Sequence, residues 1–348
     1  MISEIPERFL VIGPERIGDS VLSLPAVQLL RQEHPDVEIT VAAAPKLEAF
    51  WNTCPSINRF QPLETFFPMV GKWKQTHYDR VYILPNSFRS AWVSFMAGIP
   101  RRIGARGHWR RLLLTEVVHL GSGHQQFEAM NILGVQGEPP APELRVPPES
   151  FQTLERKLMH FPNLGKNRSV LFQALENGAE RPMGARPVIT ILPGAPHDPS
   201  RRWPATHFLL LARNLCSALN AVVLLGGGAE DVAVCEKIAA AEPDIINLAG
   251  ETTFPEWAAM LKASHCVVSN ESGGMHLASA LGTPVIGLYG LTDPKKTGPL
   301  GKHIVFQKRG EPQGRSVRRD PDASARALAL IGADEVFMAV KNLLASLR

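Results

Sequence analysis

Residues 266–290, CVVSNESGGMHLASALGTPVIGLYG, constrain the fold more than any other part of this chain. The apolar run 266–269 reads as a strand and 275–281 as the body of a helix. Gly282 then supplies a stop, and Thr283-Pro284 lead into a second apolar strand at 285–289. The turn Asn270-Glu271-Ser272-Gly273-Gly274 combines an acid, a hydroxyl and two glycines. Free N–H groups at a helix start attract an anion, and glycine lets a phosphate approach closely. Glu271 would repel phosphate, so its fitting task is to hold sugar hydroxyls beside one. The residues alone fit a nucleotide-sugar pocket or a capped βα turn, and by themselves favour the turn.

Strand and helix patterns alternate along the rest of the chain. Residues 9–13 read as a strand and 21–32 as a helix with Leu22, Ala26, Leu29 and Leu30 on one face. Strands at 37–43 and 81–84 follow. The second half repeats the scheme, with a strand at 188–192 and a helix at 207–219 carrying Leu211, Leu215 and Leu219. A strand at 221–225 then runs into Gly226-Gly227-Gly228. This succession predicts an α/β protein with two doubly wound parallel sheets, covered by helices on both faces. The Gly- and Pro-containing segment 177–187 (NGAERPMGARP) marks the expected boundary, giving domains 1–184 and 185–330. An amphipathic helix at 334–347, within a last segment 331–348, is expected to pack back on the body. Ligands of such sheets bind beyond the C-terminal strand ends, so two facing domains would create a cleft.

A length of 348 residues suits two domains. Lys+Arg 37 against Asp+Glu 33 gives 37 − 33 = +4, which fits anionic ligands without demanding nucleic acid. Cys54, Cys216, Cys235 and Cys266 lack metal-ligand spacing and read as free thiols of a reducing compartment. Glu4 and Glu7 precede the first apolar strand, which is wrong for a secretory signal, and no apolar run approaches the roughly 20 residues of a membrane span. A cytoplasmic location is expected, with neither metal nor cofactor required.

Several motifs resemble one family. Residues 270–281 (NESGGMHLASAL) resemble N-D-S-G-x-M-H-x-A-A-A-L. Pro193-Gly194-Ala195 followed by Arg201-Arg202-Trp203-Pro204 is similar to P-G-A…K-R-W-P. Residues 248–252 (LAGET), Tyr289-Gly290 with Thr292-Asp293-Pro294, and Ile12-Gly13-Pro14 through Gly18-Asp19 match in order. Within 82–107, LPNSFRSA and AGIPRRIGARG resemble the heptosyltransferase II branch in particular. Together these resemble the ADP-heptose:lipopolysaccharide heptosyltransferases, glycosyltransferase family 9. The resemblance implies a GT-B fold, two Rossmann-like domains facing across a cleft, with the C-terminal helix crossing to the N-terminal domain. It implies inverting transfer of L-glycero-D-manno-heptose from ADP-heptose to the lipopolysaccharide inner core, heptosyl-Kdo2-lipid A. It also implies a peripheral location at the inner face of the cytoplasmic membrane.

Asp19, just before a helix, reads by itself as a cap; the resemblance makes it the general base that deprotonates the acceptor hydroxyl. Arg201 occupies the place of the family's phosphate-binding lysine, a departure that keeps charge but changes geometry, with Arg202 beside it. His197, after Pro196, falls where the family contacts the phosphates; Ser272, Gly273, Gly274 and His276 follow as the anion-binding helix start, where His276 reads as a phosphate contact or a core histidine. Glu271 stands where the family commonly has aspartate, one methylene (roughly 1.5 Å) longer, and would hold the sugar. Glu230, after the glycine triplet, and Thr252 would hold the nucleoside. Arg101, Arg102, Arg106 and Arg110, near Arg111, Trp109, Lys72 and Lys74, would meet the anionic acceptor; by themselves they read as a solvated basic face. Three rivals stand beside this reading. One is a related transferase using another nucleotide-sugar or cell-envelope acceptor. Another is a nucleotide-sugar epimerase of the same fold, for which no second acid/base pair is seen. The third, a non-catalytic binder, would have no use for Asp19.

Overall fold

The computed structural model describes residues 6–107, 109–161, 186–195, 198–307 and 321–347. Among the described residues, short and mostly apolar runs form twelve strands. β1 (Arg8–Ile12), β2 (Glu38–Ala43), β3 (Arg59–Pro62), β4 (Arg80–Ile83), β5 (Arg101–Ala105) and β6 (Glu116–Val118) make one sheet. β7 (Val188–Leu192), β8 (Val222–Leu225), β9 (Ile245–Asn247), β10 (Cys266–Asn270), β11 (Val285–Tyr289) and β12 (His303–Gln307) make the other. Every ladder is parallel, with β1 in register on β2 and β4, and β7 in register on β8 and β10. β7, β10 and β11 are buried at every residue, as expected of strands covered on both faces.

The sheet orders are β3-β2-β1-β4-β5-β6 and β12-β11-β10-β7-β8-β9. Both are the doubly wound Rossmann order, which reverses direction between its first and fourth strands. The switch points therefore lie between β1 and β4, and between β7 and β10.

The chain divides into two compact units, Met1–Arg145 and Val146–Arg348. The expected boundary at 184/185 lies outside the described residues. The helix Pro148–Leu158 belongs to the second unit because it packs on the helix Phe254–Ala263. Lys157 fixes it there, with Nζ 2.8 Å from Glu256 Oε2 and a further bond to the Glu251 carbonyl. The C-terminal helix, Ala333–Ala345, packs back on the body as expected. Its Val336, Val340 and Leu343 share the core of the second unit with Leu211, Leu215, Ile286 and Leu288. It packs on the helix Ala205–Leu219, and Asn214 Nδ2 donates to Asp334 Oδ1 at 3.2 Å.

Cys54, Cys235 and Cys266 are buried, Cys216 is partly so, and all four are free thiols. Burial pushes the Cys54 and Cys216 thiols up to about 11 and that of Cys235 to about 12.

Candidate functional site

The second unit's switch point collects most of the expected donor-binding residues. β7 ends at Leu192, and the chain passes to a 3-10 turn, Pro199–Arg201, whose cap is Asp198. Asp198 Oδ1 accepts from Ser200 N at 3.1 Å, and its Oδ2 lies 3.2 Å from Arg201 Nε. Arg201 Nη1 reaches across to Glu271 Oε2 at 3.5 Å, at the C-terminal end of β10. Glu271 is almost fully buried, its side chain 5% exposed. Its Oε1 accepts the Gly290 N–H at 3.2 Å, and Gln307 Nε2 donates to the Gly290 and Thr292 carbonyls at 2.9 and 2.8 Å. Burial pushes the Glu271 carboxyl above the usual carboxylate range, against the opposing pull of the Arg201 guanidinium.

Asn270 locks the two loops together. Its Oδ1 accepts from Trp203 N at 2.9 Å and its Nδ2 donates to the Pro193 carbonyl at 2.8 Å. The backbone on either side of Arg201 is thereby fixed to the end of β10. Ser272 is the N-cap of the helix Gly273–Ala280, its hydroxyl accepting from Met275 N. Gly274 is required by packing: a Cβ there would meet Leu192 Cδ1 at 2.5 Å and Trp257 Cζ2 at 2.8 Å. His276, fourth in that helix, is buried.

Glu230 lies exposed in the turn after β8, and Thr252 lies half-buried after β9. Because all strands of the sheet are parallel, Arg201, Glu271, Ser272, Gly273, Glu230 and Thr252 share its C-terminal edge, where ligands of this topology bind. Pro196 and His197 lie outside the described residues.

In the first unit, Asp19 is the third residue of the helix Ile17–Glu33, whose N-cap position is Arg16. It is therefore not the cap, although a carboxylate in a first turn is favoured by the helix dipole. Asp19 Oδ1 accepts from Gln125 Nε2 at 2.7 Å. Gln125 opens the helix Gln125–Leu133, which packs beside the Asp19 helix.

The four arginines expected to meet the acceptor separate. Arg110 is corrected: it is wholly buried, with Nε donating to the Ala105 carbonyl at 2.8 Å and Nη1 to those of Pro85 and Ser87 at 2.6 and 3.3 Å. It braces the loop after β4, and burial lowers its pKa. Arg102 lies over the Phe95 ring and donates from Nε to the Leu113 carbonyl at 2.6 Å. Arg101 pairs with Glu116 at 2.7 Å on the surface. Arg106, exposed after β5, has no carboxylate of the described residues within ion-pair distance.

Sequence reasoning missed Asp198, the Gly290 N–H and Gln125. Asp198 had a signal, a carboxylate three residues before Arg201 in a short turn. Gln125 had none, since 106 residues separate it from Asp19.

Two Rossmann-ordered sheets, with an arginine–carboxylate pair and a capped helix start at one switch point, define the class of α/β enzymes that handle nucleotide-linked substrates. The chain matches the model of glycosyltransferase family 9 (heptosyltransferase) over residues 70–322 and belongs to that family. It is a glycosyltransferase of GT-B type. It is 32% identical over 309 residues to lipopolysaccharide heptosyltransferase 2 of Escherichia coli K12, covering 84% of this chain and 85% of the relative. It is 30% identical over 320 residues to lipooligosaccharide heptosyltransferase 2 of Haemophilus ducreyi, covering 86% and 88%. The solved structure of E. coli ADP-heptose LPS heptosyltransferase II superposes with a TM-score of 0.79 at 28% identity, covering 97% of this chain and 99% of that one.

Proposed function

We propose that this protein is an inverting glycosyltransferase that moves L-glycero-D-manno-heptose from ADP-heptose to the inner core of lipopolysaccharide, with heptosyl-Kdo2-lipid A as acceptor. Membership of the family, with relatives named for this transfer, supports the reading. The observation that carries it at residue level is the Arg201–Glu271 pair at the β7/β10 switch point.

In this reading Asp19 accepts the proton of the acceptor hydroxyl as that oxygen attacks the anomeric carbon. The anomeric carbon–oxygen bond to the β-phosphate breaks on the opposite face, so the configuration inverts. The bonding electrons leave on ADP, which needs no protonated side chain to depart. It needs positive charge and N–H donors instead. Arg201, set by Asp198 and Glu271, supplies the charge, and the helix start at Ser272 and Gly273 supplies the donors. Glu271 reaches the sugar with whatever carboxylate edge Arg201 and Gly290 leave to it. Glu230 and Thr252 take the nucleoside, and Arg106, exposed and with no carboxylate of the described residues at ion-pair distance, meets the anionic acceptor. His197 and His276 remain part of the diphosphate grip in this reading, and neither metal nor cofactor enters the scheme.

The test is nucleotide release with ADP-heptose, ADP-glucose and UDP-sugars against heptosylated and unheptosylated lipid A acceptors. ADP formation only with ADP-heptose and the monoheptosylated acceptor is expected. No ADP with any acceptor would end the proposal.

A further inference from the structure

One buried carboxylate of the second unit takes no part in the transfer proposed above. Asp231 is 5% exposed and follows directly on the exposed Glu230, at the C-terminal edge of the sheet. The loops after three neighbouring strands meet around it. Gly194 follows β7, Gly227 and Gly228 follow β8, and Gly250 follows β9. The Gly250 N–H donates to the Gly227 carbonyl at 3.0 Å, which ties the third loop to the second. Thr252 stands two residues further along that third loop.

Asp231 fills the space between these loops. A Cβ on Gly194 would collide with both oxygens of its carboxylate, and one on Gly227 would come 2.7 Å from Oδ2. Neither position can carry a side chain while the carboxylate stays in place. Asp231 Oδ2 accepts the Gly228 N–H at 3.1 Å. The Glu230 carboxylate also lies close to Gly228, where a Cβ would come 2.9 Å from its Oε2. Gly228 thus neighbours both acids, one buried and one exposed.

A turn cap needs only the bond to Gly228. It does not need a carboxylate wedged against Gly194, at the start of the chain segment that leads to Arg201. Burying a carboxylate is costly unless hydrogen bonds hold it, so its place between these loops points to a task there. A carboxylate accepts and never donates, which fixes the direction of the N–H it holds. With Gly228 held, Glu230 projects from a rigid turn.

We propose that Asp231 is a positioning residue for ribose recognition, holding Gly228 so that the Glu230 carboxylate meets the ribose hydroxyls of the donor nucleotide. This rests on the reading of Glu230 as a nucleoside ligand. Asp231 itself touches no substrate and acts through its neighbours.

The experiment is calorimetry of the full chain with ADP and with 2′,3′-dideoxy-ADP, which lacks both ribose hydroxyls. The wild type is expected to prefer ADP by about tenfold or more, the effect of one good hydrogen bond. Glu230→Ala should reduce that preference to about twofold or less, and Asp231→Ala should do the same with Glu230 intact. Asp231→Asn keeps an acceptor of the same shape for Gly228 and should retain a preference of about fivefold or more. Asp231→Glu, one methylene longer, has no room between Gly194 and Gly227 and should lose the preference despite keeping the charge. Should Asp231→Ala fail to fold, Asp231→Ser decides. Serine suits the N-cap of the helix Val232–Ala239 but is too short to reach the Gly228 N–H. A preference lost in Glu230→Ala but kept in the shortened Asp231 variant, with affinity for both nucleotides falling equally, would mark a merely structural role and overturn this proposal alone. A wild type indifferent to the ribose hydroxyls would overturn both this proposal and the nucleoside role of Glu230.

Discussion

Arg201 Nη1 and Glu271 Oε2 lie 3.5 Å apart and join the loops that follow β7 and β10, the two strands at which the second sheet reverses its order. The carboxylate is buried, so its ionisation is costly even beside a cation. Its proton is held above the ordinary value of 4.5 by burial. The folded state thus binds that proton more tightly than the unfolded chain, and stability is lost as pH rises from about 4.5 through the folded value. The melting temperature of Glu271→Gln minus that of the wild type should therefore become more positive between pH 4.5 and neutrality. Each unit of pKa elevation corresponds to about 1.4 kcal/mol. A difference independent of pH would contradict this.

Arg201 replaces a lysine of the family pattern while keeping the charge. Arg201→Lys should retain donor turnover within about tenfold, whereas Arg201→Ala should lose about 100-fold or more, as expected for one electrostatic donor at a leaving group. Steady-state kinetics with ADP-heptose checks both. Equal losses would show that the bidentate fork, rather than the charge, carries the role.

Gln125 holds one oxygen of Asp19 at 2.7 Å and leaves the carboxylate its remaining acceptor capacity. As a positioning residue it should affect turnover more than binding. Gln125→Ala is expected to lower kcat about tenfold with the acceptor KM within twofold, the cost of a loosely aimed base. Gln125→Glu should shift the acidic limb of the kcat–pH profile upward, because a like charge then faces Asp19. A changed KM with an unmoved kcat would mean a purely structural contact.

Arg110 makes the opposite case. It caps three backbone carbonyls inside the first unit and reaches no solvent. Arg110→Ala should destabilise the protein by at least about 3 kcal/mol, since several charge-assisted bonds of roughly 1.5–3 kcal/mol each are lost. The urea midpoint should fall. A raised acceptor KM at full stability would restore the role first expected from sequence.

These outcomes show where sequence was informative. The strands at 188–192 and 285–289 were readable to the residue because parallel strands covered on both faces need unbroken apolar runs. Glu271 was readable because it directly follows such a strand, and Arg201 because it stands where the resembled family pattern has a lysine. Arg110 was not, since an arginine in a basic run looks solvated and only the fold reveals carbonyls waiting for it. The boundary was not legible because 177–187 and 137–148 both carry Gly and Pro. The choice between them rests on Lys157 meeting Glu256, a pairing 99 residues apart. The fate of the last helix depended likewise on a distant surface, that of Ala205–Leu219.

The most direct measurement is the kinetics of Asp19→Asn, with ADP affinity measured by calorimetry on the same protein. Removing the proposed general base while keeping its shape should lower kcat by roughly 10²–10⁴-fold, with ADP binding unchanged, because the residues proposed to hold the nucleotide lie in the second unit. Turnover within a few-fold of the wild type would contradict the account.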